Sequence, residues 1–222
     1  MELLAALAGT YYLIKNTSIK NSEKYLVYFL WFTFIIEMIG MYAPVAYFSK
    51  YQYFSFVEDN NFRNSDWLFN CYSIVSYLFY IYYFRSQIMN IKRRNILKLS
   101  LIFFLISSIL YLFYFDVIFY EVSKYTAIVG TLLLFLSVIF YYLELLKSDT
   151  ILKVKRLLPF YISVGALIFH LCMTPIDIFS VYFQEGNELF ITLQVNIKLY
   201  ANLFMYSMYV LGFILCQKKM SY

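Results

Sequence analysis

Seven long apolar stretches follow one another along the chain, separated by short polar or charged segments. They run over residues 3–19, 25–48, 66–84, 99–115, 125–146, 157–183 and 188–216. A membrane-spanning α-helix needs about 20 mainly apolar residues to cross a hydrocarbon core of about 30 Å. The pattern therefore predicts an all-α membrane protein, with one transmembrane domain of seven helices over residues 1–222. The first stretch is short, and we expect the head of Lys15 to extend to the interface and complete its crossing.

The composition agrees with this class of protein. Of the 222 residues, 63% are hydrophobic and 14% are charged, whereas soluble domains carry about 25% charged residues. Too little polar surface remains to cover a globule in water. We therefore expect an integral, multi-pass membrane protein with little mass outside the membrane.

The basic residues are divided unequally between the two sides that the seven segments define. Fourteen of the 18 basic residues fall on the side of Lys15 and of the carboxyl terminus. They are Lys15, Lys20, Lys24, Arg85, Lys92, Arg93, Arg94, Lys98, Lys147, Lys153, Lys155, Arg156, Lys218 and Lys219. Because lysine and arginine accumulate in cytoplasmic loops, the amino terminus is expected outside and the carboxyl terminus in the cytoplasm, in a bacterial inner membrane. The net charge of +5 is then a topology signal, so membrane lipids are expected as partners and nucleic acid is not.

The last apolar segment carries a lysine well inside it. Gln194, Lys198, Asn202 and Tyr206 follow at steps of four, so they share one face of an α-helix. An ammonium group and amides lose water in lipid without gaining partners. We therefore expect this face to point into protein or into a wet cavity.

Two further ionisable residues lie at a similar depth, near the middle of their segments: Glu37 in the second and His170 in the sixth. The simplest arrangement is a buried Glu37–Lys198 pair, because pairing is the usual remedy for a charge in a low dielectric. The predicted cluster comprises Glu37, Asn70, His170, Gln194, Lys198 and Asn202. It would bind a ligand, relay a proton or gate a pathway; the alternative is an ion pair that only fixes helix packing.

A second polar stripe lies in the sixth segment. His170, Thr174 and Asp177 are spaced by four and three residues, which places them on one helix face. Pro175 removes a backbone donor beside them. Kinked helices next to polar residues often form binding sites in membrane proteins, but a kink can equally serve packing alone.

The residues needed for common catalytic chemistries are missing from the sequence. There is one histidine, and Cys71, Cys172 and Cys216 are scattered without the spacing of a metal site or of a disulfide framework. No phosphate-binding glycine loop, HExxH or GxSxG motif occurs. We therefore expect no enzyme, no metal and no cofactor.

Three segments carry a family resemblance: FIIEMIGMYAPV in the second, WLFNCYSIVSYLFY in the third and QVNIKLYANLFMYSMYVLG in the seventh. The chain resembles a group of small, uncharacterised seven-helix bacterial membrane proteins. By that resemblance the characteristic positions would be Glu37, Trp67, Asn70, Tyr72, Asn196, Lys198 and Asn202. The resemblance implies the topology and adds nothing about mechanism.

Three interpretations of function follow from the polar cluster. The first is a non-enzymatic membrane protein that binds a small ligand or lipid, or senses a membrane signal, with Lys198 attracting an anionic group and Glu37 as its counter-charge. The second is a channel, pore or accessory membrane effector, for example in a bacterial defence system, acting with a cytoplasmic partner through the basic loops or as a homo-oligomer. The third is a proton- or ion-coupled transporter. All three need a polar cluster inside a helix bundle, so the sequence leaves them open.

Overall fold

A computed structural model describes residues 1–16, 19–179 and 188–217, and this part of the chain is helical, with no strand. The α-helices are α1 Glu2–Lys15, α2 Asn21–Gly40, α3 Tyr42–Phe48, α4 Asp66–Ser86, α5 Ile91–Tyr114, α6 Lys124–Leu145, α7 Leu158–Phe179 and α8 Glu188–Leu215. Short 3-10 helices lie at Ser55–Val57, Asn61–Arg63, Val117–Phe119 and Asp149–Arg156. The prediction of an all-helical protein is confirmed for the described residues.

Five helical stretches of the described chain are long and apolar enough to cross a membrane. They are Asn21–Phe48, Ile91–Tyr114, Lys124–Leu145, Leu158–Phe179 and Phe190–Leu215. This finding indicates a multi-pass membrane protein. α1 has only 14 residues, and α4, with 21, is rich in tyrosine and carries polar side chains along its length. The count of seven spans therefore stays a prediction.

The second predicted span consists of two helices, α2 and α3, joined at Met41. The Met41 amide still donates to the Glu37 carbonyl at 3.2 Å, so the chain continues in nearly the same direction. Gly40 lies at the join because a Cβ there would come within 2.7 Å of the Phe69 ring on α4. The break thus lies where α2 and α4 approach closely.

The basic segment between the third and fourth predicted spans is mostly helical. α4 ends at Ser86 and α5 already begins at Ile91, eight residues before the expected start of the apolar span. The Asn90 side chain accepts a hydrogen bond from the Arg93 amide at 3.2 Å, which caps the new helix. Lys92, Arg93, Arg94 and Lys98 therefore lie on the first two turns of α5, while Arg85 lies in the last turn of α4. Hydropathy alone places the start of α5 too late.

The helices form a closed ring in the order α1, α2, α4, α6, α7, α8, and α8 packs back against α1. α5 lies outside this ring, against α4 and α6. The most extensive helix contact is between α7 and α8. The ring is filled largely by aromatic side chains, among them the fully buried Tyr83, Phe84, Tyr209 and Phe213.

Candidate functional site

Carboxyl groups from three helices lie within electrostatic range of one lysine at one end of the ring. Lys198 of α8 lies within electrostatic range of Glu2 on α1, Glu37 on α2 and Asp177 on α7. Glu2 also interacts with Glu37 and with the terminal amino group of Met1. α1 brings Glu2 to this place because it packs between α2 and α8. These residues define what we call the acidic site.

Lys198 and Glu37 of the acidic site are not joined by a direct ion pair. Among the described residues, the ion pairs within 4.0 Å are Arg93–Glu144 at 3.4 Å and Lys124–Glu121 at 3.3 Å. The predicted Glu37–Lys198 pair is therefore not in direct contact. The side chain of Lys198 is exposed, and those of Glu37 and Asp177 are partly buried. Lys198 and Glu37 therefore share a region without contact between their charged groups.

Hydrogen-bonding capacity is left open around the acidic site. Within the described part of the chain, no hydrogen bond is found for the side chains of Glu37, Gln194, Lys198 or Asn202. Glu37, Gln194 and Asn202 are partly buried and Lys198 is exposed, and a polar group that meets lipid without a partner is costly. The arrangement can therefore accept a polar guest, whose donors and acceptors would replace water.

Two stripes of hydroxyl groups lead from the acidic site into the ring. On α8 the Tyr206 hydroxyl lies beside the Glu2 carboxylate, and Tyr209 follows one turn later. On α4 Tyr72 bonds to Thr33 at 3.0 Å, and two turns later the Tyr80 hydroxyl meets that of Tyr209 at 2.8 Å. These bonds satisfy phenols that would otherwise be buried without partners.

His170 belongs to a separate network at the junction of α4, α6 and α7. Its Nδ1 lies 3.1 Å from the Tyr77 hydroxyl, which also contacts the Thr131 hydroxyl at 3.0 Å and the Ala127 carbonyl at 3.2 Å. Thr131 in turn bonds to Thr174 at 2.8 Å. His170 is 7% exposed and is surrounded by aromatic rings. Its placement fits a residue that joins three helices.

Asn70 also lies apart from Lys198. Its amide nitrogen donates to the carbonyls of Ile118 and Glu121, at 3.1 and 2.9 Å, and its oxygen accepts from the Ser123 amide at 2.9 Å. All three partners belong to the connection between α5 and α6. Asn70 is 1% exposed. Its amide nitrogen and its oxygen hold this connection against α4.

Of the six residues predicted to cluster, the structure brings Glu37 and Lys198 into one region and places Asn70 and His170 in networks of their own. Gln194 and Asn202 lie one turn before and after Lys198 on α8. The α8 stripe does not face one environment, because Lys198 is exposed while Tyr206 is buried.

Sequence reasoning missed Glu2 and left Asp177 outside the cluster. A signal for Glu2 existed: it begins the first segment on the side toward which Lys198 is displaced in the last one. The depth of Glu2 in the membrane therefore matched that of Lys198. An acidic residue in a first helical turn also commonly stabilises its own helix by interacting with the helix dipole.

The described residues contain no group of three histidine, cysteine or acidic side chains that could hold a metal ion. Comparison of the chain with models of protein families, with characterised proteins and with solved structures finds no match. The resemblance to small seven-helix bacterial membrane proteins thus stays a prediction. The function has to be argued from the site itself.

A double-mutant cycle tests whether Glu37 and Lys198 act as a structural pair. Because they are not in contact and Lys198 is exposed, Glu37→Gln and Lys198→Met should each change the free energy of unfolding by less than about 1 kcal/mol. Their coupling should be equally small. The measurement is unfolding of the purified protein in detergent, for the wild type, both single variants and the double variant.

The contacting pair Arg93–Glu144 is the matched control for this cycle. Joined at 3.4 Å, it should show the larger coupling. Single variants that each lose about 3–5 kcal/mol, with recovery in the double variant, would identify a buried pair that serves stability and would contradict our interpretation.

Proposed function

We propose that this protein is a non-enzymatic, seven-span membrane protein that binds a small, positively charged ligand at the acidic site. Its amino terminus would lie outside and its carboxyl terminus in the cytoplasm, in a bacterial inner membrane. The observation that carries the proposal is that carboxyl groups from three helices lie within electrostatic range of one lysine, with the side chains of Glu37, Gln194 and Asn202 making no hydrogen bond within the described chain.

The packing of α1 and α4 supports seven spans. Nine residues of α4 are buried, including Asn70, Tyr77 and Tyr80, and the helix lies against α2, α5 and α6. A helix enclosed by other helices needs less hydropathy than one that faces lipid. α1 would be about 21 Å long at 1.5 Å per residue, and its contacts with α2 and α8 run beside two of the apolar spans.

The charge balance of the acidic site supports a cationic ligand. Three carboxyl groups lie within electrostatic range of Lys198, and the amino group of Met1 is a second cation that acts on one of them, Glu2. An excess of negative charge in a region of low dielectric attracts a cation more strongly than it would in water. The sequence alone favoured an anionic group at Lys198, because Glu2 and Asp177 were not part of the predicted cluster.

Three probes with the same carbon skeleton test the sign of the ligand charge: n-butylammonium, butyrate and butanol. We expect n-butylammonium to raise the melting temperature of the detergent-purified protein more than the other two, because a ligand that binds only the folded state stabilises it. The double change Glu37→Gln and Asp177→Asn should weaken its binding about tenfold, which corresponds to about 1.4 kcal/mol.

The matched control is the double change Glu58→Gln and Asp59→Asn. It removes the same charge from two exposed residues of the loop between α3 and α4 and should leave the effect of n-butylammonium unchanged. Stabilisation by butyrate that disappears in Lys198→Met would instead assign an anionic ligand to the site. Equal responses to all three probes would overturn the proposal.

A further inference from the structure

The opposite end of the ring holds a cavity of about 1320 Å³. It lies where α1 and α8 end, where α2 and α7 begin and beside the carboxyl end of α6, so it opens among the basic connections. Pockets for small molecules commonly measure about 300–1,000 Å³. This cavity can therefore take a guest as large as a lipid headgroup with part of its chains.

Three cations from three separate segments line the cavity. Lys20 precedes α2, Lys147 follows α6 and Arg156 precedes α7, and all three side chains are exposed. Lys20 contacts the Gln87 side chain at 3.5 Å. In the described chain, none of the three has an acidic partner within 4.0 Å.

The two carboxylates of the cavity are already engaged. Glu144 is paired with Arg93 at 3.4 Å and accepts a hydrogen bond from the Met89 amide at 3.3 Å. Glu23 accepts from the Tyr12 hydroxyl at 3.0 Å. The cations of the cavity therefore keep their charge and their donors for a molecule that enters it.

The start of α7 adds to the attraction for an anion. Leu157, Leu158 and Pro159 line the cavity, and α7 begins at Leu158. Pro159 has no amide hydrogen and the Phe160 amide donates to the Leu157 carbonyl at 3.0 Å, so the contribution of this turn is the partial positive charge of the helix dipole. Arg156, Lys147 and this helix terminus thus act on the same volume.

Much of the rest of the lining is apolar or phenolic, although Gln87, Ser148, Thr150 and Gln217 add polar side chains. Leu145, Ile214 and Leu215 belong to it, and so does Tyr141, which is 5% exposed. The Tyr141 hydroxyl is buried and has no hydrogen-bond partner in the described residues. A cavity with cations at its rim and apolar walls fits an amphiphile with an anionic head.

We propose that this cavity binds a phosphate-bearing molecule with an apolar part, its phosphate held by Lys147, Arg156 and Lys20. Phosphate fits because its several oxygens can accept from the lysine ammonium groups and from the guanidinium fork together. The phosphate could be supplied by the headgroup of an anionic lipid or by a soluble phosphate ester. The cavity lies at the other end of the ring from the acidic site, so the inference does not depend on the proposed function.

Three probes separate these sources by native mass spectrometry and by melting temperature. Dihexanoyl phosphatidic acid carries both phosphate and chains, glycerol 3-phosphate carries the phosphate alone, and dihexanoylglycerol carries the chains alone. We expect dihexanoyl phosphatidic acid to bind, and the double change Lys147→Gln and Arg156→Gln to weaken it about tenfold through the loss of two charged hydrogen bonds. Binding of glycerol 3-phosphate with the same dependence would support the site and assign it to soluble phosphate esters.

The double change Lys153→Gln and Lys155→Gln is the control. It removes the same charge from exposed residues of the same connection that do not line the cavity, and it should leave the affinity within about twofold. The single changes Lys147→Gln and Arg156→Gln replace the double variant if it does not fold, and each should weaken binding more than Lys153→Gln does. Equal losses in the cavity and control variants would reduce the effect to general surface charge and overturn the proposal. Binding of phosphatidic acid no tighter than that of dihexanoylglycerol would overturn it too.

Discussion

Asn70→Leu should lower the free energy of unfolding by about 4 kcal/mol, because each buried polar group left without a partner costs about 1–3 kcal/mol. Leucine has nearly the same size but leaves the Ile118 and Glu121 carbonyls and the Ser123 amide without the bonds that Asn70 makes at 2.9–3.1 Å. Unfolding of the detergent-purified protein measures the loss. Hydrogen exchange should rise first in the connection between α5 and α6, since that segment loses its attachment to α4.

Ser73→Ala is the matched control on the same helix. The Ser73 hydroxyl donates only to the Phe69 carbonyl of its own helix, at 2.8 Å, so its removal should cost less than about 1 kcal/mol. Asn70→Asp should also destabilise the protein, because a carboxylate cannot donate to the two carbonyls. If Asn70→Leu and Ser73→Ala proved equally stable, the network around Asn70 would not contribute as the structure indicates.

Gly130→Ala should destabilise the protein by about 3 kcal/mol, at the upper end of the usual cost of an overpacked core. A Cβ at this position of α6 would clash with Cδ2 of the Tyr77 ring and lie 2.5 Å from its Cγ. The ring cannot move aside easily, because its hydroxyl is held by Ala127, Thr131 and His170. The substitution therefore forces either a shift of α6 away from α4 or the loss of this network, and the melting temperature measures the result.

Leu132→Phe provides the control, because it adds volume to α6 at a side chain that is 61% exposed and should have little effect. Tyr77→Leu should remove most of the clash, so Gly130→Ala should cost much less in that background than in the wild type. A Gly130→Ala variant as stable as the wild type would show that α4 and α6 do not approach as closely as they do here.

The helices themselves could be predicted from local sequence. The last span was expected over residues 188–216 and is found as α8 Glu188–Leu215. Such agreement has a physical reason: a chain in lipid must satisfy its backbone hydrogen bonds within each segment, so a long apolar run specifies its own helix. Boundaries were less secure where polar residues continue a helix, as they do at the start of α5, because hydropathy detects lipid contact and not helical structure.

The partners of each polar side chain were decided only by the tertiary structure. Asn70 and His170 looked equivalent to Glu37 in the sequence, since each is polar inside an apolar segment. In the structure Asn70 is hydrogen-bonded to the loop between α5 and α6. His170 is hydrogen-bonded to Tyr77, and Glu2 lies in the region of Glu37 and Lys198. A helix surface that faces another helix is nearly as apolar as one that faces lipid, so composition does not reveal which helices are neighbours.

The sequence by itself therefore determined that this is a helical membrane protein with charges that need partners. Periodicity could place Gln194, Lys198, Asn202 and Tyr206 on one face of α8, but not say what lies opposite that face. The closure of the ring, in which α1 packs between α2 and α8, decides it. That closure depends on contacts between residues far apart in the chain. It brings Glu2 and Asp177, in addition to Glu37, within electrostatic range of Lys198.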